Sequence, residues 1–146
     1  MTQPLYEFVD FLQISEETLL ESKKLAGSYA VIRINGKFLI CYNKWRKQWE
    51  LPAGGREQNE TPKQCAKREL FEETGQKVAD LQFIGLLQSK HAHTGALKYN
   101  PVFYAEMKNL QPFIENDEIL EIQLWDASTP LDNFDPVDRK ILDYIK

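Results

Sequence analysis

The sequence predicts one α+β domain in which a mixed β-sheet packs against a small number of helices. β-rich runs separated by turn signals occupy most of the 146 residues, and clear helical patterns occur in the middle of the chain and at its end. That length suits one domain with a substantial core. No repeat, low-complexity tract or linker divides the chain. We therefore treat residues 1–146 as a single domain with layered α+β architecture.

The first part of the chain combines an uninformative extension with a strong hairpin signal. Residues 1–25 form an N-terminal extension in which only a short helix is indicated, with Ser15 as its N-cap and lysines near its end. This extension has two alternative roles, to cover a pocket or to form a homodimer. Residues 28–34 and 37–42 are β-rich, and Asn35-Gly36 between them is the strongest short hairpin signal.

The best-defined helix of the chain follows a polar loop at residues 54–59. Thr61 is a good N-cap, Pro62 suits the first helical position, and Gln64 completes a capping box. Gly75 supplies the stop signal. These signals predict a helix from Pro62 to Thr74.

The remaining chain predicts strands and a closing helix. β-rich runs occur at 78–88, 99–106 and 119–125. The segment from Asp135 to Ile145 has apolar residues at helical spacing. The second half of the domain is therefore mainly sheet, closed by a helix.

Composition limits the classes of function. No apolar run is long enough to cross a membrane, and the first residues lack a secretory pattern. Two cysteines, Cys41 and Cys65, are too few for a disulfide scaffold and fit a cytoplasmic protein. The net charge of −4 argues against a polymeric nucleic acid partner. It permits a small phosphorylated substrate, because an acidic site can hold one through metal ions.

Three glutamates on the central helix carry the chemistry. Glu69, Glu72 and Glu73 stand at i, i+3 and i+4, which places their carboxylates on one face near the helix end. Like charges repel there, and the negative end of the helix dipole adds to the cost. Arg68 relieves part of it from four residues before Glu72. A hard divalent ion would neutralise this face; the alternative is a solvated acidic surface.

The loop in front of the helix favours the ion. The segment reads Gly54, five residues, Glu60, seven residues, and then Arg68-Glu69-Leu70-Phe71-Glu72-Glu73-Thr74-Gly75. It resembles the box of the Nudix family, of the MutT-like type, and eight of the nine specified positions of the box at 54–76 match. The ninth is Gln76, where an aliphatic residue is usual, and we interpret this departure as a change in packing at the helix exit.

The resemblance implies a Nudix fold, an α/β/α sandwich with a mixed sheet between helices, and it implies roles for individual residues. Glu69, Glu72 and Glu73 match the metal ligands, and a backbone carbonyl near Gly54 is the usual companion. Members of the family often use one more carboxylate from a later loop. We favour Glu118 among four candidates there, as ligand or base: Glu115, Asp117, Glu118 and Glu121.

The same resemblance assigns the remaining roles and the activity. Arg68 is expected to orient a ligand glutamate, Glu60 to brace the loop, and Glu69 is a weak candidate for the general base. The implied cofactor is Mg²⁺, with Mn²⁺ as an alternative. The implied reaction is attack of water at phosphorus on a nucleoside diphosphate-linked substrate of the nucleoside triphosphate type. The alternatives are an ADP-ribose or nucleotide-sugar pyrophosphatase and an inactive nucleotide-binding module.

Several other residues have weaker claims. Lys44, Arg46 and Lys47 either contact phosphates or form a solvated turn, and His91 and His93 would share one face of a strand near the substrate. The purine-reading Asn of the MutT-type proteins falls at Phe134, next to Asn133, which puts oxidised-purine specificity in question. Candidates for base stacking, with core packing as the alternative, are Trp45, Trp49, Tyr99 and Phe103.

Overall fold

A computed structural model describes residues 5–21 and 24–146, which form three helices and eight strands. The helices are α1 (Glu16–Leu20), α2 (Pro62–Thr74) and α3 (Pro136–Leu142). The strands are β1 (Tyr6–Leu12), β2 (Ser28–Ile34), β3 (Lys37–Asn43), β4 (Gln48–Glu50), β5 (Ala53–Gly54), β6 (Gln82–His91), β7 (Leu97–Met107) and β8 (Ile119–Trp125).

All eight strands belong to one mixed sheet. Its main path runs β1-β6-β7-β2-β3-β4, with β5 paired to β2 and β8 paired to β3. The pairing of β2 with β7 is parallel, and the other pairs are antiparallel. The predicted hairpin joins β2 to β3, and Asn35 and Gly36 both have positive φ, 51° and 78°. Such angles are typical of the turn that Asn-Gly favours.

Helices cover both faces of the sheet. On one face, α3 contributes Val137, Ile141 and Leu142 to a core that includes Val31 and Val102. The core of the opposite face includes residues from α1 and α2: Leu19, Ala30, Ile32, Ile34, Leu39, Ala66, Leu70, Leu81, Leu86 and Phe103. The expected α+β sandwich, with a mixed sheet between helices, is therefore confirmed.

The N-terminal extension contributes to this sheet. Residues 6–12 form β1 at the sheet edge, antiparallel to β6. The register shifts between Phe8 and Asp10, which interrupts the strict alternation of a strand. The residues of this segment accordingly carry no clear strand signal. Ser15 caps α1 as predicted, but the helix ends at Leu20. Lys23 lies outside the described residues.

Two predictions about the strand after α2 were wrong. The β-rich run predicted at 78–88 forms strand β6 only from Gln82 onward, and residues 78–81 are not in a strand. The same strand ends at His91, so His93 lies in the following turn and does not share a strand face with it. The ring nitrogen Nδ1 of His91 accepts the backbone N–H groups of His93 and Thr94, both at 3.2 Å. His91 is therefore a turn-capping residue.

No helix within residues 5–21 and 24–146 is long and apolar enough to cross a membrane.

The attachment of α3 depends on one buried carboxylate. Asp138 is 2% exposed and accepts the Tyr29 hydroxyl at 2.8 Å and the Leu51 backbone N–H at 2.9 Å. Burial, followed by the neighbouring charge of Asp135, raises the pKa of Asp138 well above its usual range. Asp138 therefore ties the helix to the sheet at an electrostatic cost.

This cost predicts a pH dependence of stability. The folded protein keeps the Asp138 proton to higher pH than the unfolded chain, whose pKa lies near 3.8. The associated stability is complete below that pH and is lost as pH rises through the folded pKa. Urea unfolding from about pH 4 to about pH 8 should show a steeper fall in unfolding free energy for wild type than for Asp138→Asn. The exposed Asp132→Asn is the control, and equal slopes for all three proteins would contradict the prediction.

Candidate active site

Helix α2 delivers the acidic cluster to the sheet. The side chain of Thr61 accepts the Gln64 backbone N–H, and the side chain of Gln64 accepts the Thr61 backbone N–H. The predicted capping box is therefore present. Gly75 ends the helix in the left-handed conformation at φ 80°. The fully buried side chains of Cys65 and Leu70 face the sheet. The helix is thereby fixed at both ends, with the glutamates along its last turns.

Arg68 forms ion pairs with several carboxylates of this region. Its Nε donates to Glu60 at 2.6 Å, and its Nη1 donates to Glu69 at 2.8 Å and to Glu72 at 3.1 Å. A further ion pair at 2.7 Å joins Nε to Glu57. These hydrogen bonds raise the pKa of Arg68 and lower that of Glu60. The structure thus places Arg68 against two of the predicted ligands and Glu60 against Arg68.

Glu69 lies against the loop at Gly54. A Cβ built on Gly54 would overlap the Glu69 carboxylate, so only glycine permits this approach. Burial raises the pKa of Glu69, against the opposing effect of Arg68. The Gly54 carbonyl also accepts the thiol of Cys65 at 3.2 Å. A carboxylate and a backbone carbonyl oxygen from the predicted set therefore occupy the same small region.

Glu73 and Glu72 differ sharply in environment. Glu73 is 4% exposed and accepts the Ala53 backbone N–H at 2.9 Å. Burial, with added repulsion from Glu118 and Glu69, raises the pKa of Glu73 to about 9. The side chain of Glu72 is 55% exposed. The cluster thus combines a buried carboxyl group, which nearby positive charge would help to ionise, with a solvent-accessible one.

Glu118 is the later-loop carboxylate that the structure brings to this cluster. It lies close enough to raise the pKa of Glu73. Its Oε2 accepts the Asn43 side-chain amide at 3.0 Å and lies 3.6 Å from Arg46. The other three candidates, Glu115, Asp117 and Glu121, are exposed, the last of them on β8.

The donor set fits a hard divalent cation in kind. Its members are carboxylate oxygens and a backbone carbonyl, the ligands that Mg²⁺ and Mn²⁺ prefer, and the space against Glu69 at Gly54 is kept open by the absence of a Cβ. Within the described part of the chain, however, no three acidic, His or Cys side chains are already arranged around a common point as a metal site requires. Glu69 and Glu72 are instead turned toward Arg68.

The residues with weaker claims separate into surface and core. Arg46 makes two hydrogen bonds to Glu50, at 2.6 and 3.0 Å, which hold its guanidinium near Glu118. Trp45 is 67% exposed, whereas Phe103 is fully buried and packs in the core, as the alternative interpretation held. Phe134 packs edge-on against Trp125.

Sequence reasoning missed the amides that hold Glu118. Asn43 is fully buried, and its Oδ1 accepts two backbone N–H groups of the turn that follows β3. Asn116 Oδ1 accepts the backbone N–H groups of Glu118 and Ile119, at 3.0 and 2.8 Å. Neither residue belongs to the recognisable box. Only the position of Asn116 two residues before a candidate carboxylate offered a signal.

Comparisons with known proteins agree with this fold. A family model described as NUDIX domain matches residues 24–145. The protein named "Putative 8-oxo-dGTP diphosphatase YtkD" of Bacillus subtilis (strain 168) is 27% identical over 111 residues, 73% of this chain and 68% of that protein. An RNA pyrophosphohydrolase of Bartonella henselae is 37% identical over 51 residues, which cover 33% of this chain and 30% of that protein.

A solved structure shows the same fold. The crystal structure of a MutT NUDIX hydrolase from Burkholderia pseudomallei superimposes with a TM-score of 0.73 at 19% identity, covering 86% of this chain and 100% of that one. The family match and the relatives named as a diphosphatase and as RNA pyrophosphohydrolases together support an enzyme of the pyrophosphohydrolase class, which acts on acid anhydrides. Because the family model matches most of its length, the chain belongs to the Nudix family.

Two adjacent glycines provide a test of the site geometry. Gly54→Ala should force the Glu69 carboxylate away, whereas a Cβ on Gly55 would meet nothing within 4 Å. We expect kcat/KM for nucleotide hydrolysis to fall about 10²-fold in Gly54→Ala, since a small misplacement of an active-site group has this effect. Gly55→Ala should stay within about twofold of wild type in the same assay. Similar losses in both variants would show that Gly54 has no special role.

Proposed function

We propose that this protein is a Mg²⁺-dependent hydrolase of small nucleoside diphosphate-linked substrates of the nucleoside triphosphate type. The convergence of carboxylates from two separate segments carries the proposal. Glu69 and Glu73 come from α2, and Glu118 comes from the loop before β8. Burial, with a smaller contribution from the charge of Glu118, raises the pKa of both Glu69 and Glu73. A divalent cation bound by these oxygens would offset the cost of ionising carboxylates so placed.

The proposed ligands are Glu69, Glu72, Glu73, Glu118 and the Gly54 carbonyl. Mg²⁺, or Mn²⁺ in its place, supplies the positive charge and Lewis acidity that a diphosphate needs before water can attack phosphorus. Glu72, exposed and paired with Arg68 at 3.1 Å, can exchange this partner for another cation. Arg68 meanwhile keeps its contacts to Glu60 and to the Gly55 carbonyl, which fix the loop beside Glu69.

A carboxylate of this cluster accepts the proton of the attacking water, a role worth about 10²–10⁴-fold in rate. Glu69 and Glu118 are the two candidates, because each is near the buried Glu73 and each is held by a hydrogen-bond donor. Arg46, 3.6 Å from Glu118, is the cation outside α2 to which this proposal assigns a substrate phosphate. The products are a nucleoside monophosphate and a second phosphate-bearing compound.

A nucleoside triphosphate substrate is supported by the name of the Bacillus subtilis relative, which refers to 8-oxo-dGTP. A second candidate is the 5′ end of an RNA, supported by the RNA pyrophosphohydrolase name of shorter matches. Both ligands carry the same phosphate chain on a ribose or deoxyribose. A panel of nucleoside triphosphates, triphosphorylated RNA and ADP-ribose, with each product identified by mass spectrometry, separates these candidates from a nucleotide-sugar-type activity.

The carboxylates can be tested against a matched control. Glu72→Gln should retain the fold and lose Mg²⁺-dependent hydrolysis of the best panel substrate by about 10² to 10⁴-fold in kcat. Glu115→Gln removes an equal charge from an exposed position in the same region and should remain close to wild type. The measurement is phosphate release across an Mg²⁺ titration, with circular dichroism to check folding. Full activity of Glu72→Gln, or tight nucleotide binding without turnover by the wild type, would contradict the proposal.

A further inference from the structure

We propose that Gln76 and Gln111 form a pair of positioning residues that hold the loop at 108–118, and with it Glu118, against the end of α2. The inference deepens the proposed function, because it concerns how one carboxylate of that site is kept in place. Gln76 is also the one specified position at which the chain departs from the family box. The residue that breaks the pattern is fully buried, with 0% exposure.

Gln76 binds the loop backbone in two directions. Its Nε2 donates to the Gln111 carbonyl at 2.8 Å, and its Oε1 accepts the Gln111 backbone N–H at 2.8 Å. The same Nε2 donates to the Thr74 carbonyl at 3.1 Å, which fixes the amide to the end of α2. An aliphatic side chain could fill this space but could not make these bonds.

Gln111 returns the interaction with its own side chain. Its Oε1 accepts the Lys77 backbone N–H at 2.8 Å, and its Nε2 donates to the Lys77 carbonyl at 3.0 Å. The Gln76 side chain therefore binds the backbone of Gln111, and the Gln111 side chain binds the backbone of Lys77. Together four hydrogen bonds between side chain and backbone join residues 76–77 to residue 111.

The attached loop holds Glu118 through the side chain of Asn116. Asn116 Nδ2 donates to the Glu73 carbonyl at 3.2 Å, while its Oδ1 accepts the backbone N–H of Glu118 at 3.0 Å. Between these two attachments the loop lies close over Gly75, where an added Cβ would come within 2.8 Å of the Pro112 carbonyl. The segment from Gln111 to Glu118 is thus attached at its start to residues 76–77, directly after α2, and near its end to Glu73 of α2.

Such a brace matters because the segment has no regular secondary structure of its own. Residues 108–118 belong to no helix or strand, so their position depends on side-chain contacts with the rest of the fold. The bonds made by Gln76 are buried or half-buried, and a buried amide left without partners is costly, so the braced loop is the favoured state.

Amide hydrogen exchange tests the brace without reference to activity. In Gln76→Leu, exchange of the segment 111–119 should rise about 10-fold or more while most of α2 stays protected, since the loop opens locally. The matched control is Gln82→Leu, which removes an exposed glutamine side chain on β6 and should leave the segment as in wild type. Unchanged exchange of 111–119 in Gln76→Leu would overturn the inference.

Kinetics then test whether the brace acts through Glu118. Gln76→Leu should lower kcat about 10-fold at saturating Mg²⁺ with KM within about twofold, because substrate contacts remain. In a Glu118→Gln background the same substitution should change kcat by less than about twofold, since residues acting through one group are not additive. Equal losses in both backgrounds would show general destabilisation and contradict the positioning role.

Two further results keep the test decisive. If Gln76→Leu does not fold, Gln111→Ala replaces it, because it removes the exposed bonds to Lys77 and leaves the Gln111 backbone available to Gln76. The same rise in exchange and the same cycle with Glu118→Gln are then expected. If the wild-type protein hydrolyses none of the panel substrates, the proposed function fails, and the exchange comparison alone decides the brace.

Discussion

Charge balance at the end of α2 is the constraint on which this site depends. One guanidinium, Arg68, contacts four carboxylates, and two of those carboxylates belong to the predicted ligand set. That balance is incomplete, because Glu73 is buried and forms no ion pair within residues 5–21 and 24–146, and burial raises its pKa to about 9. The fold thus assembles more acid than its own bases neutralise. This surplus is what makes a divalent ion the natural complement of the site.

Local signals were sufficient for the parts of the fold that depend on local interactions. The capping box of α2 and the Asn35-Gly36 turn lie where the sequence places them, since each is formed by residues a few positions apart. Strand β1 was not identified because a register shift near Val9 breaks its alternation. The distance before β8 favours Glu118 among four acids, but spacing does not reveal what holds its carboxylate, because that depends on how β8 pairs with β3 and on the buried amide of Asn43.

The departure at Gln76 shows a further limit of reading a motif. A missing aliphatic residue predicts altered packing at the helix exit, but the sequence does not reveal which distant backbone would satisfy a buried amide. The partner, Gln111, is 35 positions away in a loop without regular structure. Substrate choice is limited in the same way. The relatives are named for a deoxynucleotide and for RNA, and a net charge of −4 does not decide between a free nucleotide and an RNA end.

Asn43 joins the turn after β3 to Glu118 through a single side chain. Its Oδ1 accepts the backbone N–H groups of Trp45 and Arg46, and its Nδ2 donates to Glu118. The bonds to the turn are made to backbone atoms, so they do not depend on which side chain stands at position 45. Replacement of the exposed indole of Trp45 would therefore leave the orientation of the Glu118 carboxylate relative to the turn unchanged.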